Sequence, residues 1–274
     1  MDVPTVTITP ESSEQNYWTE VWRHRELAAF LAWRDLVVRY KQTIVGVAWT
    51  IIRPLAMILV YSFAFGYVAQ LPSQGIPYTL LVLTGMLPWQ LFSLVLIVSS
   101  ESLLANSQLV QKVYFPRFIL PISSIAVCIV DHLIAFVLIG LMLIWFGVTP
   151  GPQIILLPFV TLLAVGCALG LGLLAAALNT KYRDLRQVIP IALQVGVFLC
   201  PVAYATSLMP ERWLWLYALN PMVGVIDAFR WCILGKSDLI YPPSIIVSIV
   251  FATGMLIFAT HVFRKMEPEF PDMM

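Results

Sequence analysis

The sequence predicts an all-α integral membrane protein with six transmembrane helices. Three observations lead to this prediction: of the 274 residues, 60% are hydrophobic and only 11% are charged, and the mean hydropathy is +0.87. Soluble domains carry roughly 45–50% apolar and about 25% charged residues, so this chain lacks the polar surface that a soluble domain needs. The net charge of +1 also argues against nucleic-acid binding, which requires a basic surface.

The six spans are predicted from the long apolar stretches of the sequence. A helix that crosses about 30 Å of hydrocarbon needs about 20 mainly apolar residues. Stretches that reach or approach this length lie at about residues 44–69, 78–99, 118–146, 154–178, 188–204 and 244–263. A further apolar stretch, at about 222–234, is too short to span and contains Asp227 and Arg230, so it predicts a short re-entrant or interfacial helix.

The distribution of positive charge orients these spans. With the N-terminus inside, only Arg212, Arg230 and Lys236 of the 16 Lys and Arg residues fall in outer segments, and the other 13 fall inside. Cytoplasmic loops of membrane proteins carry such an excess of Lys and Arg. An even number of spans returns the C-terminus to the same side. We therefore expect both termini in the cytoplasm, as a polar, disordered tail over 1–19 and a short tail over 265–274.

An amphipathic helix is predicted at about residues 20–43, ahead of the first span. Phe30, Trp33, Val37 and Tyr40 recur at spacings of three and four residues, which places them on one face of a helix. Next to a membrane span, such a face predicts a helix that lies along the cytoplasmic interface. An ordinary soluble helix remains the alternative.

The residues needed for catalysis or metal binding are not grouped in this sequence. His24, His132 and His261 are far apart in the predicted topology, and no spacing typical of a metal site or a nucleophile–base pair is visible. The four cysteines lie in apolar stretches, where small buried hydrophobic residues are expected. We predict no catalytic residues, no metal ligands and no cofactor in this chain.

Two features of the predicted spans leave alternatives open. Asp131 and His132 lie inside the third span, where a charge costs roughly 2.5–3.5 kcal/mol. They could form a proton relay, a polar pair satisfied by another helix, or the lining of a wet cavity. Gly166 and Gly170 form a GxxxG pattern in the fourth span, which indicates either helix packing within the chain or a sliding or dimer face.

Motifs in the predicted cytoplasmic segments indicate a family. These are Arg39-Tyr40-Lys41-Gln42-Thr43 followed by Gly46, Trp49 and Pro54-Leu55; the stretch 106–117, NSQLVQKVYFPR; and the stretch 178–184, LNTKYRD; Asn220-Pro221 precedes the short outer helix. In their order and topology, over about residues 27–264, they resemble the membrane subunit of type-2 ABC exporters, above all those for lipid-linked polysaccharides such as O-antigen, capsule or teichoic acid.

The resemblance implies the partners that the chain itself lacks. It implies a homodimer in the inner membrane, paired with two copies of a separate ATPase subunit that binds ATP and Mg. It also implies a lipid-linked polysaccharide as substrate, with membrane lipid around the protein and no nucleic acid involved. The chain itself is then a permease subunit and not an enzyme.

The resemblance also implies a coupling helix between spans two and three, at about residues 101–114, that docks on the ATPase. Pro116 disfavours helix at Phe115, so the helix should end there. A plain amphipathic loop helix is the alternative. The residues expected to contact the ATPase are Leu103, Leu104, Gln108, Val110, Lys112, Val113, Tyr114, Phe115 and Pro116.

A channel and a phosphate site are expected from the same resemblance. Aromatic faces can guide the C–H faces of sugar rings, although rings facing lipid at the interface are also common. Arg39, Lys41 and Arg53 could attract the diphosphate of the lipid carrier, with positive-inside topology as the alternative. Short periplasmic gate helices are expected at about 210–234. The candidate channel-lining residues are Trp49, Tyr61, Phe65, Tyr67, Trp89, Phe92, Phe198 and Tyr204.

The sequence therefore predicts the permease subunit of an ATP-driven exporter for a lipid-linked polysaccharide. One alternative is a type-2 ABC permease for a drug or a small lipid. Another is a stand-alone ion-coupled transporter that uses Asp131 and His132.

Overall fold

The structure, a computed structural model, describes residues 13–41, 48–182, 184–236 and 240–273. Every regular element in these ranges is helical, which confirms the predicted all-α class. A π-helix at Ser62–Val68 extends the third α-helix, and short 3-10 turns occur between several of the others. The α-helices are α1 (Ser13–Arg23), α2 (Arg25–Lys41), α3 (Ala48–Tyr61), α4 (Tyr78–Ala105), α5 (Ser107–Lys112), α6 (Ile119–Phe146), α7 (Leu157–Lys181), α8 (Leu185–Gly196), α9 (Glu211–Tyr217), α10 (Pro221–Leu234), α11 (Pro242–Met266) and α12 (Phe270–Met273).

Five helical segments of the described residues are long and apolar enough to cross a membrane: Ala48–Val68, Tyr78–Ala105, Ile119–Phe146, Pro152–Lys181 and Pro242–Met273. They correspond to the first four predicted spans and the sixth. The fifth predicted span is instead the shorter apolar segment Leu185–Leu199, which falls short of the roughly 20 residues that a full crossing needs. Helical geometry ends there because Cys200 adopts an extended backbone conformation.

Helix α4 lies at the centre of the fold. In its most apolar 18-residue window, 72% of the residues are buried, against 17% in the windows of the first and last spans. It packs against α6, α7 and α10. The outer helices α3 and α11 therefore expose apolar faces that lipid or another protein must cover.

Glycine allows close packing at several places in the fold, and two of them are contacts with α11. At Gly170 in α7, a Cβ would approach Met255 Cγ to 3.0 Å and the Leu256 nitrogen of α11 to 3.1 Å. The GxxxG pattern thus packs within the chain, which supports the first of its two interpretations. At Gly224 in α10, a Cβ would lie 2.2 Å from the Ser244 carbonyl oxygen of α11.

A buried arginine holds the turn that follows α8. Arg230 of α10 is fully buried, and its guanidinium donates hydrogen bonds to the carbonyls of Tyr204 (2.9 Å), Val202 (2.9 Å) and Leu81 (3.1 Å). Carbonyls outside regular helices need such donors when water is excluded. Helix α10, which the sequence predicts as a short re-entrant or interfacial helix, therefore anchors this turn through its one cation.

The two ends of the described chain, near Tyr17 and Phe270, pack around one apolar cluster. Its buried members come from eight of the helices and from the loop after α5, and they include Leu31, Leu103, Phe115, Phe263 and Phe270. The predicted interface helix (20–43) is divided by a turn at His24 between α1 and α2. The predicted C-terminal tail (265–274) folds back as far as it is described, since Phe270 is fully buried.

Some predictions concern residues outside the described ranges. These are most of the polar tail (1–12), the junction of the interface helix and the first span (42–47, with Gln42, Thr43 and Gly46), Arg183 in the third motif, and the final residue of the C-terminal tail.

The contact between α10 and α11 gives a test of this packing. Gly224→Ala should lower the thermal unfolding temperature of the purified chain, because the added methyl group overlaps a backbone carbonyl, and overpacking costs about 1–3 kcal/mol. The matched control is Gly140→Ala in α6, where no atom lies within 4 Å of the new Cβ, so stability should hold or rise. Equal stability of the two variants would contradict the packing described.

Candidate functional site

A cavity of about 1130 Å³ lies between α3, α4, α6 and α8, and the last turn of α2 reaches its wall. Most of its lining is apolar, which fits its place among hydrophobic helices. A polar region is formed by residues from all five helices. These residues include Arg39, Tyr40, Arg53, Gln90, Asp131 and Gln194.

The structure brings four of the eight predicted channel residues to this cavity: Trp49, Tyr61, Trp89 and Phe198. The other four do not line it. Two of them contact rings of the lining: the Phe65 ring centroid is 5.6 Å from that of Tyr61, and the Phe92 centroid is 5.4 Å from that of Trp89. The remaining two are elsewhere: Tyr67 stacks on Phe63 at an exposed site, and the Tyr204 hydroxyl donates to the Phe198 carbonyl at 3.0 Å.

Two of the three residues predicted to bind phosphate, Arg39 and Arg53, also line the cavity. They come from different helices, α2 and α3. The third, Lys41, is exposed at the end of α2 and is not part of the lining. The cavity thus combines two guanidinium groups with several aromatic rings.

The carboxylate of Asp131, on α6, fastens the end of α2 to the cavity wall. It accepts hydrogen bonds from the Arg39 guanidinium and the Tyr40 hydroxyl, and the Thr50 hydroxyl of α3 lies 3.4 Å away. Burial and the hydrogen bond to Asp131 raise the pKa of Tyr40 to about 12, so this phenol stays a donor at neutral pH. The Asp131 carboxylate therefore has hydrogen-bond donors from another helix and also lines a cavity. These are two of the three roles considered from the sequence, the third being a proton relay.

His132 lines the same cavity with a largely buried ring. Its ring packs edge-on against Phe136, with centroids 4.7 Å apart, and is 5% exposed. Within the residues that the structure describes, its Nε2 atom has no hydrogen-bond partner.

The loop between α4 and α6, residues 106–118, is built differently from the predicted single helix at 101–114. Helix α4 continues to Ala105, Asn106 leaves helical geometry with φ −113° and ψ 25°, and α5 follows. The Asn106 side chain donates to the Ser102 carbonyl at 2.9 Å, which competes with continuation of the helix.

The nine predicted coupling residues divide into buried and exposed groups. Leu103, Val110, Phe115 and Pro116 are buried, Leu104 is partly buried, and Gln108, Lys112, Val113 and Tyr114 are exposed. Phe115 is only 1% exposed and belongs to the apolar cluster, whereas Val113 is 48% exposed. The buried residues hold the α4–α6 loop to the protein, so only the exposed ones can face a partner. A charge at position 115 would disrupt the fold itself.

Hydrogen bonds fix both ends of the α4–α6 loop. At its start, Arg34 of α2 donates to the Asn106 side chain at 2.9 Å. At its end, the backbone nitrogen of Arg117 donates to Glu267 at 2.6 Å, and the other carboxylate oxygen of Glu267 accepts from the Tyr17 hydroxyl at 2.7 Å. Burial and the adjacent carboxylate raise the pKa of Tyr17, so its hydroxyl remains a donor at neutral pH.

Sequence reasoning missed Glu267 altogether. It lies in a short stretch predicted only as a tail, and a single glutamate there forms no pattern that would indicate burial or a partner.

The described ranges contain no group of three or more residues that could hold a metal ion, and the four cysteines are free and buried.

Glu267 provides a test of how the loop is held. Glu267→Ala should lower the thermal unfolding temperature, because it leaves the Tyr17 hydroxyl and the Arg117 nitrogen without a partner, at about 1–3 kcal/mol for each such buried group. Glu269→Ala is the matched control, since Glu269 is exposed in the same short turn. Unchanged unfolding of the Glu267 variant would show that this carboxylate does not hold the loop.

Comparison with known proteins agrees with the resemblance seen in the motifs. Residues 26–234 match the family described as ABC-2 type transporter. The O-antigen export system permease protein RfbA of Klebsiella pneumoniae is 28% identical over 261 residues, which cover 91% of this chain and 95% of that protein.

Two further relatives cover most of the chain. RfbA of Myxococcus xanthus is 29% identical over 214 residues, with 77% of this chain and 81% of that protein covered. The polysialic acid transport protein KpsM of Escherichia coli is 25% identical over 210 residues, with 73% and 78% covered. Since the family match covers well over half of its length, the chain belongs to the ABC-2 type transporter family.

Proposed function

We propose that this chain is the permease subunit of an ATP-driven exporter that moves a lipid-linked polysaccharide across the inner membrane. The observation that carries the proposal is the similarity, over 91% of the chain, to a permease named for O-antigen export. The similarity to a polysialic acid transport protein points to the same class of substrate. The cavity adds a chemical argument, because aromatic rings suit sugars and guanidinium groups suit phosphate.

The proposed topology has six crossings, with both termini in the cytoplasm. Leu185–Leu199 forms the shortened fifth crossing, and α9 and α10 form the gate helices on the periplasmic side. The excess of Lys and Arg in the cytoplasmic segments supports this orientation. It puts the α4–α6 loop in the cytoplasm, where an ATPase can reach it.

We propose that two copies of the chain assemble with two copies of a separate ATPase subunit, which binds the ATP and Mg. The exposed apolar faces of α3 and α8 support a second copy as neighbour. On these faces Leu59 is 69% exposed, Val60 60% and Val195 57%. The cavity of each copy would then contribute to one path at the dimer interface.

In the proposed path, each part of the cavity binds one part of the substrate. Arg39 and Arg53 bind the phosphate groups of the lipid carrier by charge-assisted hydrogen bonds. Trp49, Trp89 and Phe198 present ring faces along which a sugar chain can slide without being held at any one residue. In this mechanism the chain makes and breaks no covalent bond.

The ATPase is proposed to act through the exposed residues of the α4–α6 loop: Gln108, Lys112, Val113 and Tyr114. Movement of this loop reaches α2 through the hydrogen bond between Asn106 and Arg34. Helix α2 in turn contacts the cavity through Arg39 and Asp131. A continuous set of contacts therefore connects the docking surface to the proposed path.

Export itself tests the proposal. Removing this chain from its host should abolish the surface polysaccharide and leave lipid-linked polymer on the cytoplasmic leaflet, and restoring the chain together with an active ATPase subunit should reverse both effects. The surface polymer can be measured by antibody or lectin binding. Normal surface polymer with altered drug or lipid efflux would favour the small-substrate alternative, and transport by the purified chain alone under a proton gradient would favour the ion-coupled one.

The docking surface has a separate test. Val113→Asp should abolish surface polymer and reduce co-purification of the ATPase subunit, because it adds a charge to an exposed apolar contact while leaving the buried side of the loop unchanged. Val113→Thr, of nearly the same shape, should retain most of the export. Normal export by Val113→Asp would exclude this residue from the docking surface.

A further inference from the structure

The contacts of Asp131 resemble those of a bound anion. Its carboxylate lies against donors from two other helices: Arg39 and Tyr40 at the end of α2, and Thr50 near the start of α3. A phosphate oxygen would use the same donors, since both groups are compact anions with several acceptor positions. Asp131 thus occupies a position that suits an anion at the cavity wall.

Two cations of the cavity differ in how they are held. The Arg39 side chain is 37% exposed although it is paired with Asp131, whose side chain is 10% exposed. Arg53 lines the same cavity from α3 and is exposed. Both arginines are therefore accessible at the cavity, but at Arg39 an entering anion meets a carboxylate already present.

Asp131 has hydrogen-bond donors other than Arg39, so its carboxylate keeps a partner if the contact with Arg39 is lost. The Tyr40 hydroxyl also donates to Asp131, and the Thr50 hydroxyl lies 3.4 Å away. Beside it, His132 has an Nε2 atom without a hydrogen-bond partner in the described part of the chain, and only 5% of that residue is exposed. This Nε2 atom is too buried to meet a ligand in the cavity, so Tyr40 and Thr50 remain as donors for Asp131 when Arg39 binds another anion.

We infer that Asp131 is an exchangeable counter-ion for Arg39, and that a phosphate group of the substrate displaces it when the cavity is occupied. This inference rests on the proposed phosphate site at Arg39 and Arg53. In the empty protein the carboxylate neutralises Arg39. In the occupied protein the phosphate binds Arg39 and Arg53, and Asp131 keeps its contact with Tyr40.

The exchange connects substrate binding to the position of α2. The contacts of Arg39 and Tyr40 with Asp131 fasten the last turn of α2 to α6, while Arg34 on the same helix contacts the α4–α6 loop. Loss of the Arg39 contact loosens the cavity end of α2, and because α2 is one continuous helix, Arg34 at the α4–α6 loop can shift with it. Occupancy of the cavity is thereby communicated to the loop on which the ATPase is proposed to act.

Ligand binding to the full-length chain in phosphatidylcholine nanodiscs tests the inference. The probe is farnesyl diphosphate, farnesol is the control without phosphate, and inorganic pyrophosphate is the control without lipid. Wild type should bind farnesyl diphosphate more tightly than farnesol. Competition by pyrophosphate would support the exchange and show that the diphosphate alone is recognised. Lack of competition would show that the diphosphate is recognised only together with its lipid.

Variants of the two partners separate exchange from a structural role. Asp131→Asn should tighten farnesyl diphosphate binding by about tenfold, because it removes the competing charge and keeps the shape of the side chain. In an Arg39→Gln background the same change should have little effect. A structural role alone predicts weaker binding by Asp131→Asn, so equal or weaker binding by the folded variant would overturn the inference.

Tyr40→Phe keeps the inference testable if Asp131→Asn does not fold. Without the Tyr40 hydroxyl, Asp131 depends more on Arg39, so farnesyl diphosphate should bind more weakly while farnesol binding is unchanged. Tighter diphosphate binding by this variant would contradict the exchange, as would equal binding of farnesyl diphosphate and farnesol by wild type. Surface polysaccharide in cells, measured separately, shows whether the proposed function fails as well.

Discussion

A carboxylate among apolar helices is stable only when donors or cations meet it, and two such carboxylates organise the N-terminal part of this protein. Asp131 recruits the end of α2 through Arg39 and Tyr40, and Glu267 recruits α1 through Tyr17. Without these contacts, each carboxylate would carry its full desolvation cost, and each helix would lose a polar attachment to the spans. The wall of the cavity and the end of the α4–α6 loop both depend on this constraint.

Helix α2 contacts both the α4–α6 loop and the cavity. Arg34 and Arg39 are five residues apart, which is about 7.5 Å along a helix, yet one contacts the α4–α6 loop and the other contacts Asp131 in the cavity. A rigid helix of this length connects two parts of the molecule with few intervening contacts. The exposed tip of the loop, including Val113 and Tyr114, stays free to bind a partner while its base is held by buried residues.

Features that depend on local composition are predicted correctly from the sequence. Long apolar runs indicate five segments that the structure also has, and the cost of a charge in a span is enough to single out Asp131. Its partners are not predictable, because Arg39 is 92 residues away in the chain. Likewise, the pattern of the α4–α6 loop identifies apolar residues but not which of them face inward, so Phe115 and Val113 look alike in the sequence. Glu267 matters only through tertiary contacts, which no local pattern encodes.

The most direct test is whether the α4–α6 loop faces the cytoplasm and is covered by the ATPase. A cysteine introduced at position 113 can be labelled with a membrane-impermeant maleimide in inside-out and right-side-out vesicles, with little background because the four native cysteines are buried. We expect rapid labelling in inside-out vesicles, none in right-side-out vesicles, and protection when the ATPase subunit is added. Labelling from the outer side, or labelling unaffected by the bound ATPase, would contradict the proposed topology and docking.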